Sequence, residues 1–320
     1  MAVIGIDLGG TKITGALFNE KGKTLCRVSY LLEKRKGHEV GQLVLHVIDQ
    51  LIEKSGYSRD AFRALGICVP GIANSKTGFI WAPNIEGWEN YPLQKEIEDH
   101  FNNDEITINI ASDRTCYILG EKWKGAAKHA TNAIYLSIGT GIGAGLLIDG
   151  KIVHGHGDIV GSAGWFAMGT PFQEEFERYG CFESHASGDG IARQAKKILK
   201  EGRLFRESLL YRKKIDSLSG KDIFDAFYKE DPLAVSVITK AIELWAMAAA
   251  NLVSLLNPEM IIWGGGVFGP AAQLIDRIYA EASRWAQPIA IKQVKFEKSI
   301  LEGSAGLYGA GYLALTSITK

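Results

Sequence analysis

Short apolar runs alternate with glycine turns through the first third of the chain. Runs of this length next to turn residues are typical of strands, which we predict at residues 2–7, 13–18, 24–30, 64–69 and 106–110. Apolar residues at helical spacing predict a helix over 39–55 and a second over 93–102. This alternation of strands and helices is typical of an α/β layered domain.

A similar order recurs from residue 133. We predict strands at residues 133–138, 145–148 and 151–154, separated by a glycine turn at 139–141 and a tight turn at 149–150. We interpret the recurrence as a duplication, with two related domains facing each other across a cleft; a chance likeness between two hairpins is the alternative. We place the first domain at 1–110, completed by a C-terminal helix at 304–320, and the second at 111–303.

Further elements follow in the second half. The sequence of residues 231–256 predicts one long helix, because Pro232 is suited to the first turn of a helix and Pro258 comes just after the last turn. Residues 260–263 predict a buried strand. Glycine or charge interrupts the longest apolar runs, so we expect no membrane-spanning segment.

Composition excludes several classes of protein. The chain has 320 residues, 46% of them hydrophobic, which is enough for a buried core. Lys plus Arg and Asp plus Glu are both 36, and this zero net charge argues against nucleic acid or anionic membrane as a partner. The four cysteines are far apart, as in proteins of a reducing cytosol, so we expect a cytoplasmic location.

The first glycine turn follows an acidic strand end. Asp7 lies directly before Gly9, Gly10, Thr11 and Lys12. Glycines let backbone N–H groups approach a phosphate closely, and Lys12 is able to face the same anion. The alternative is an ordinary hairpin turn beside a chance aspartate. We predict a phosphate site.

The second glycine loop, residues 139–145, formally matches a dinucleotide-binding pattern. Gly139, Gly141 and Ala144 fit the glycine positions, and Asp158 lies near the acidic position. That pattern requires a helix after the loop, whereas an apolar run here continues directly into a turn. We therefore reject a nicotinamide site and predict that Gly139, Thr140 and Gly141 form a second phosphate-binding hairpin. The P-loop motif is also absent from the sequence.

Two further positions are candidates. Gly264, Gly265 and Gly266 follow a buried strand and are suited to binding a flat group such as adenine against the backbone. Asp113 follows a strand and precedes a predicted helix at 115–123. Helix capping explains Asp113 when it is taken alone. Beside two phosphate turns, it is also a candidate general base.

Taken together, these motifs resemble the ROK family of sugar kinases, which are actin- and hexokinase-like ATPases with a ribonuclease H-like fold. The resemblance covers nearly the whole chain. The segments that carry it are Asp7–Lys12, residues 138–145, Gly264–Gly266, Pro70-Gly71, Pro83-Asn84, Gly87-Trp88, Ser112-Asp113, Gly180-Cys181-Phe182-Glu183 and Ala186-Ser187-Gly188.

The resemblance implies ATP-dependent phosphorylation of a sugar hydroxyl. Asp113 is then the catalytic base, and Asp7 binds Mg²⁺, through water. The two glycine turns bind phosphates, and Gly264 to Gly266 bind adenosine. The implied sugar contacts are Gly71, Asn84, Ser112, Asp113, Ser162, Trp165 and Glu183. The resemblance also implies a homodimer.

Two departures change the expected sugar pocket. The family usually has Gly-Glu-x-Gly-His where this chain has Gly161-Ser162-Ala163-Gly164-Trp165. Ser162 therefore replaces a carboxylate. Trp165 replaces a histidine that contacts sugar and binds structural zinc in the family. Trp165 either stacks on a sugar face or fills the space of that histidine.

We expect no structural zinc. Such a site needs four protein ligands, and only Cys181 of the family's zinc cysteines is present. The alternative ligands His154, His156 and His185 have no known zinc spacing.

Three functions stay open at this point. We favour an active kinase, with glucose as the default substrate and mannose, fructose or an amino sugar as alternatives. A catalytically lapsed sugar-binding or sensing protein of the same fold is the second reading. A sugar-responsive repressor is the third, which we disfavour because the first phosphate strand begins at residue 2. The choice between a nucleotide and polyphosphate as donor is also open.

Overall fold

The computed structural model describes residues 2–58, 61–102, 106–202 and 205–318. The strands are β1 (Ala2–Leu8), β2 (Lys12–Asn19), β3 (Thr24–Leu31), β4 (Ala64–Val69), β5 (Ile72–Ala73), β6 (Ile80–Trp81), β7 (Thr107–Ser112), β8 (Ala133–Ile138), β9 (Ile142–Ile148), β10 (Lys151–Ile152), β11 (Met260–Gly264) and β12 (Lys295–Lys298). The helices are α1 (His38–Ser55), α2 (Leu93–Phe101), α3 (Asp113–Lys124), α4 (Glu175–Tyr179), α5 (Cys181–Ala186), α6 (Gly188–Glu201), α7 (Gly220–Phe227), α8 (Pro232–Leu256), α9 (Ile275–Ala282) and α10 (Ala305–Ile318).

The chain divides into two compact units. The first comprises residues 1–129, 152–160 and 300–320, and the second comprises 130–151 and 161–299. The division falls after residue 129, whereas we had placed the domain boundary between 110 and 111. Residues 111–129, 152–160 and 300–303 thus belong to the first unit and not to the second. Helix α3, in the first of these segments, packs so closely on α10 that a Cβ on Gly120 would lie 2.2 Å from the carbonyl oxygen of Ala305.

The two main sheets have the same strand order. The first is β3-β2-β1-β4-β7 and the second is β10-β9-β8-β11-β12. In the first sheet, β1 pairs antiparallel with β2 and parallel with β4. In the second sheet, β8 pairs antiparallel with β9 and parallel with β11. This shared topology is what a duplication predicts, so the predicted α/β class with two related sheets is confirmed.

Parallel pairing determines which residues meet in the first unit. Strands β1, β4 and β7 are parallel, so their carboxyl ends lie at one edge of the sheet. Asp7, Gly71 and Asp113 lie at or just after those three ends. In open α/β sheets, ligands bind at this edge, just outside the carboxyl ends of the strands.

Helix α10 packs directly on this sheet through glycines. A Cβ on Gly5 would lie 2.7 Å from the backbone nitrogen of Gly311, and one on Gly66 would lie 1.9 Å from the carbonyl oxygen of Ala310. Only residues without a side chain allow helix and sheet backbones to approach so closely. The small, apolar sequence of α10 is therefore a requirement of the packing.

Helix α8 is long and apolar enough to cross a membrane by length and composition. About two thirds of its most apolar window, 67%, is buried inside the protein. Its buried residues, such as Trp245 and Val253, belong to the core of the second unit. The helix therefore has the environment of a core helix.

Candidate active site

Two carboxylates lie at the carboxyl edge of the first sheet. Asp7 is the penultimate residue of β1 and stands opposite Cys68 of β4 in the sheet register. Asp113 is the first residue of α3, directly after β7. Parallel pairing of β1, β4 and β7 places both residues at the same edge of the sheet, and the charge of Asp7 raises the pKa of Asp113.

Asp113 does not cap its helix. The cap of α3 is Ser112, whose Oγ accepts a hydrogen bond from the backbone nitrogen of Thr115 at 3.4 Å and donates one to Thr115 Oγ1 at 3.2 Å. Asp113 Oδ1 accepts a hydrogen bond from the backbone nitrogen of Arg114 at 2.8 Å. The capping explanation for Asp113 is therefore wrong, while Ser112 has a structural role that we had not predicted. The predicted sugar contact of Ser112 stays a prediction.

Burial raises the pKa of both carboxylates. Removal of water by the surrounding protein raises the pKa of Asp113 to about 6, and the neighbouring Asp7 adds to this effect. Arg114 opposes the shift through its charge and its backbone hydrogen bond. The pKa of Asp7 is also raised by burial, while Cys68, Lys12 and Arg27 lower it. A carboxyl group with a pKa near 6 is suited to general base catalysis close to neutral pH.

The donor set fits a hydrated magnesium ion. Mg²⁺ keeps several waters and is typically bound by one or two carboxylates together with substrate phosphates. Asp7 supplies one such carboxylate beside an exposed glycine turn, and a cation there would offset the cost of its desolvated charge. No group of three or more His, Cys, Asp or Glu side chains suited to a metal occurs among the described residues.

The first glycine turn lies beside these carboxylates. Gly9 closes the turn by donating its N–H to the carbonyl of Lys12 at 2.9 Å. The next three residues, Gly10 to Lys12, are exposed. Of the backbone donors predicted to bind phosphate, those of Gly10 and Thr11 therefore remain candidates, with the Lys12 side chain next to them. A Cβ on Gly10 would lie 3.6 Å from Asn84 Cβ, so Asn84 also lies at this turn.

Gly71 and Asn84 occupy loops next to the same sheet edge. Gly71 has φ 112°, and a Cβ there would lie 2.2 Å from the carbonyl oxygen of Trp81. The backbone therefore requires a glycine at position 71, independently of any ligand contact. Asn84 is exposed and follows β6. Trp88 is buried and donates from Nε1 to the carbonyl of Gly37 at 3.0 Å, which anchors the loop that contains Asn84.

In the second unit, Glu183 lies against the second glycine turn. Its Oε2 accepts a hydrogen bond from the backbone nitrogen of Ile142 at 2.7 Å. A Cβ on Gly141 or Gly164 would approach the same oxygen to 2.7 or 2.8 Å. Burial raises the pKa of Glu183, whereas the Ile142 hydrogen bond and the charge of Arg193 lower it. The glycines on both sides thus create the space that this carboxylate occupies.

The second and third glycine segments lie next to each other. The N–H of Gly139 donates to the carbonyl of Gly141 at 2.9 Å, which leaves Thr140 and Gly141 as the candidate donors for phosphate. A Cβ on Gly139 would lie 3.9 Å from the nitrogen of Gly266. Strand β9 begins at Ile142, directly after the turn, and this agrees with rejection of the dinucleotide pattern.

The three glycines at 264–266 differ in role. Gly264 is buried, and a Cβ there would lie 1.9 Å from the hydroxyl of Tyr135, so packing accounts for this glycine. Gly265 has φ 85° and is exposed, as is Gly266. The predicted adenosine segment therefore offers Gly265 and Gly266 as its accessible part.

Gly188 is a neighbour to which the sequence analysis gave no role. Its N–H, at the start of α6, donates to the carbonyl of Gly139 at 2.7 Å, and Ser187 caps the same helix. The sequence did contain a sign of this helix start, because serine at position 187 is a typical capping residue directly before Gly188. The helix therefore supports the second phosphate turn.

Trp165 does not fill a hole in the core. Its side chain is 56% exposed. The neighbouring Gly164 is buried against Glu183, and Ser162 is partly buried. An exposed ring is available for stacking, and the two alternatives for Trp165 both stay predictions.

The candidate zinc ligands have other partners. His185 Nδ1 and the carbonyl of Cys181 are hydrogen-bonded at 2.9 Å, and Cys181 Sγ accepts from the backbone nitrogen of Met168 at 3.4 Å. His154 lies 3.7 Å from Asp158.

A duplicated α/β sheet with phosphate-type glycine turns and a carboxylate at the strand ends defines the class of actin- and hexokinase-like ATPases. The match to a family model supports a closer assignment. The model of the ROK family covers residues 3–317, so the chain belongs to the ROK family.

Comparisons with known proteins agree with this assignment. The chain is 32% identical to a glucokinase from Halalkalibacterium halodurans, over 97% of this chain and 94% of that protein. It is 29% identical to a xylose repressor from Caldicellulosiruptor bescii, over 82% of this chain and 65% of that protein. A ROK glucokinase from Streptomyces griseus, solved with glucose and AMPPNP, superimposes with a TM-score of 0.76 at 26% identity, covering 99% and 100% of the two chains.

Proposed function

We propose that this protein is an ATP-dependent sugar kinase that phosphorylates a hydroxyl of a hexose, with glucose as the first candidate. The observation that supports this most strongly is the pair Asp7 and Asp113, held at one sheet edge beside an exposed glycine turn. The glucokinase relative supports the same reaction class.

Asp113 is the proposed catalytic base. It accepts the proton of the attacking sugar hydroxyl, and its pKa of about 6 keeps it mostly ionised at neutral pH while leaving it a better proton acceptor than an ordinary aspartate. Positioned general bases of this kind contribute roughly 10²–10⁴-fold to a rate. The Arg114 N–H bond to Oδ1 fixes the orientation of the carboxylate.

Phosphate binding is assigned to the backbone. Gly10, Thr11 and Lys12 of the first unit and Thr140 and Gly141 of the second bind the phosphates of ATP, and Gly265 with Gly266 bind adenosine. When bound at Asp7 through water, Mg²⁺ supplies neutralisation of phosphate charge. Because such transfers depend mostly on positioning and charge, the protein needs no covalent intermediate.

Following the family resemblance, sugar binding is assigned to Gly71, Asn84, Ser112 and Asp113 of the first unit and to Glu183 of the second. Ser162 replaces a carboxylate of the family pattern, so one charge-assisted hydrogen bond worth roughly 1.5–3 kcal/mol is lost. The exposed ring of Trp165 is proposed to stack on a sugar face instead. Recognition at this side therefore differs from that of ordinary glucokinases, and mannose, fructose and amino sugars are the alternatives to glucose.

The test is an ADP-release assay over a panel of hexoses and amino sugars. We expect turnover of at least one sugar with ATP, and loss of that turnover in Asp113→Asn by roughly 10²-fold or more. Polyphosphate replaces ATP in a parallel set to identify the donor. Turnover of no sugar, or turnover unchanged in Asp113→Asn, contradicts the proposal.

A sugar-binding protein with lapsed catalysis, or a regulator, is the alternative. The xylose repressor among the relatives supports a regulator. The presence of Asp7, Asp113 and Glu183 together favours the kinase, because a sensor needs no base with a pKa of about 6. Binding of sugar without ADP release would support the alternative.

We also propose that the protein is a cytoplasmic homodimer. Light scattering at several protein concentrations tests whether it is a dimer.

A further inference from the structure

The carboxylate of Asp7 is enclosed by residues that none of the family motifs contains. Gly306 lies in the first turn of α10, about three hundred positions along the chain from Asp7. A Cβ on Gly306 would lie 2.8 Å from Asp7 Oδ1 and 2.9 Å from both Cγ and Oδ2. Real Cβ atoms do not approach other heavy atoms so closely, so any side chain at position 306 must displace this carboxylate.

The other glycines of α10 meet different atoms. A Cβ on Gly309 would lie 1.8 Å from the backbone carbonyl oxygen of Cys116, and one on Gly311 would lie 2.6 Å from the ring of Phe18. Those contacts concern packing of the helix on α3 and on the sheet. In contrast, the three nearest atoms at Gly306 all belong to the Asp7 carboxylate.

Cys68 supports the same carboxylate from the neighbouring strand. It stands opposite Asp7 in the parallel register, and its side chain is fully buried in a cluster with Ala111, Cys116 and Ala310 of α10. The position opposite Asp7 brings the thiol close to the carboxylate, and Cys68 is one of the influences that lower the pKa of Asp7. The buried side of the carboxylate therefore has two neighbours of fixed position, a thiol and a glycine Cα.

We propose that Gly306 and Cys68 are positioning residues that hold the carboxylate of Asp7 in the orientation its role requires, so that the C-terminal helix takes part in the nucleotide site. This inference rests on the proposed function, since Asp7 is assigned there to bind magnesium through water. The physical reason is steric and local. The Asp7 side chain has only two rotatable bonds, so a methyl group at position 306 would force the carboxylate to turn away from its present orientation.

Gly306→Ala is the principal test. Alanine is a better helix former than glycine, so a merely structural glycine at this position would give an equal or higher Tm and unchanged kinetics. If Gly306 positions Asp7, we expect kcat to fall roughly 10²-fold while the sugar KM stays the same. We also expect the gain in ADP affinity on adding Mg²⁺, measured by calorimetry, to shrink by about tenfold or more.

Two control variants, Gly303→Ala and Cys116→Ala, accompany two further tests at Cys68. Gly303→Ala lies just before α10, where a Cβ would have nothing within 4 Å, and should match the wild type in every measurement. Cys68→Ala should reduce the same Mg²⁺ effect, and Cys68→Ser, which keeps a donor, should restore part of it. Cys116→Ala removes an equal volume from the same cluster and should leave the Mg²⁺ effect intact.

A double variant decides whether the effect passes through Asp7. In an Asp7→Ala background the carboxylate is absent, so adding Gly306→Ala should cause no further loss of Mg²⁺-dependent ADP binding. A further loss in that background overturns the inference, and so does a Gly306→Ala variant that binds and turns over like the wild type. A wild-type chain that binds Mg²⁺ and ADP but phosphorylates no sugar refutes the proposed kinase while leaving the positioning result valid. A wild-type chain that binds no nucleotide overturns both.

Discussion

At the scale of single residues, the chemistry depends on how burial changes ordinary side chains. Asp113 is an aspartate like many others in the sequence, yet removal of water and the nearby Asp7 raise its pKa to about 6. Glu183 shows the same tendency, moderated by Ile142 and Arg193. Raised pKa values of interacting carboxylates are typical of functional sites, because a structural carboxylate usually gains a partner that lowers its pKa.

If Asp113 is the proposed base, its pKa predicts the pH dependence of activity. The base works only when ionised, so kcat/KM should be level above the pKa of about 6 and fall about tenfold for each pH unit below it. Initial rates in buffers of constant ionic strength between pH 4.5 and 8.5 check this. A profile that is flat down to pH 5 would mean that another group accepts the proton.

The same shift predicts how stability changes in Asp113→Asn. The folded pKa of about 6 exceeds the ordinary aspartate value of 3.8, so the stabilising contribution of this group is full below about pH 4 and is lost as pH rises through 6. Asparagine removes the cost of the buried charge, so the variant should gain roughly 1–3 kcal/mol relative to the wild type at pH 8 and little at pH 4. Denaturant unfolding at both pH values measures the difference.

A matched control is Asp216→Asn, because Lys200 lowers the pKa of this exposed carboxylate. The sign is opposite there, so no gain at pH 8 is expected. An Asp113→Asn variant that is less stable than the wild type at pH 8 would contradict the linkage argument.

At the scale of elements, the cap of helix α3 determines where Asp113 lies. Ser112 ends β7 and caps α3, so the first helical residue, Asp113, emerges at the carboxyl edge of the sheet. A helix whose first turn is fixed by a cap holds its first side chain more rigidly than a loop does. The orientation of the proposed base thus depends on a residue that was predicted to contact sugar.

Ser112→Ala should lower the free energy of unfolding by roughly 0.5–2 kcal/mol, since the backbone nitrogen of Thr115 loses its partner. We also expect kcat to fall, because the first turn of α3 frays. Ser112→Asp, a good capping residue, should recover the stability. Thermal unfolding and steady-state kinetics on the same samples measure both effects.

The control for this prediction is Ser219→Ala. Ser219 caps α7 in a capping box with Asp222, so its removal costs similar stability without touching the proposed base. If both variants lose equal activity, the effect of Ser112 is general destabilisation and not the position of Asp113.

At the scale of the whole molecule, the chain belongs to the ROK family and yet departs from the zinc-binding pattern of that family. The segment that follows Trp165 packs through aromatic residues, with Phe166 and Phe182 stacked at 6.4 Å and Phe172 against Phe176 at 5.8 Å. Apolar packing therefore orders this region in the structure. The absence of structural zinc stays a prediction.

Metal analysis tests it directly. We expect purified protein to hold far less than one zinc per chain, and chelator to leave the Tm unchanged, because no fold energy depends on zinc. Chelator should nevertheless abolish kinase activity, and added Mg²⁺ should restore it. Near-stoichiometric zinc, or a Tm that falls with chelator, would contradict the prediction.

Much of the fold was predictable from local patterns. The strands at Ala64–Val69 and Ala133–Ile138 have the predicted bounds, and the long helix ends at Leu256 as predicted. Local hydrogen bonding and burial of one face are encoded within a few neighbouring residues, so periodicity shows them. The repeated strand-turn order likewise predicted two sheets of the same topology.

The sequence alone therefore determined the main strands of both sheets, the helices α1, α2 and α8, the two glycine turns, the acidic residues at the strand ends and the family resemblance. The tertiary structure alone decided that Ser112 caps α3, that the ring of Trp165 is exposed, that α3 belongs with α10, and that Gly306 meets Asp7. The physical reason is distance along the chain. Contacts between residues far apart form only when strands pair and helices pack, and no local pattern of residue types contains that information.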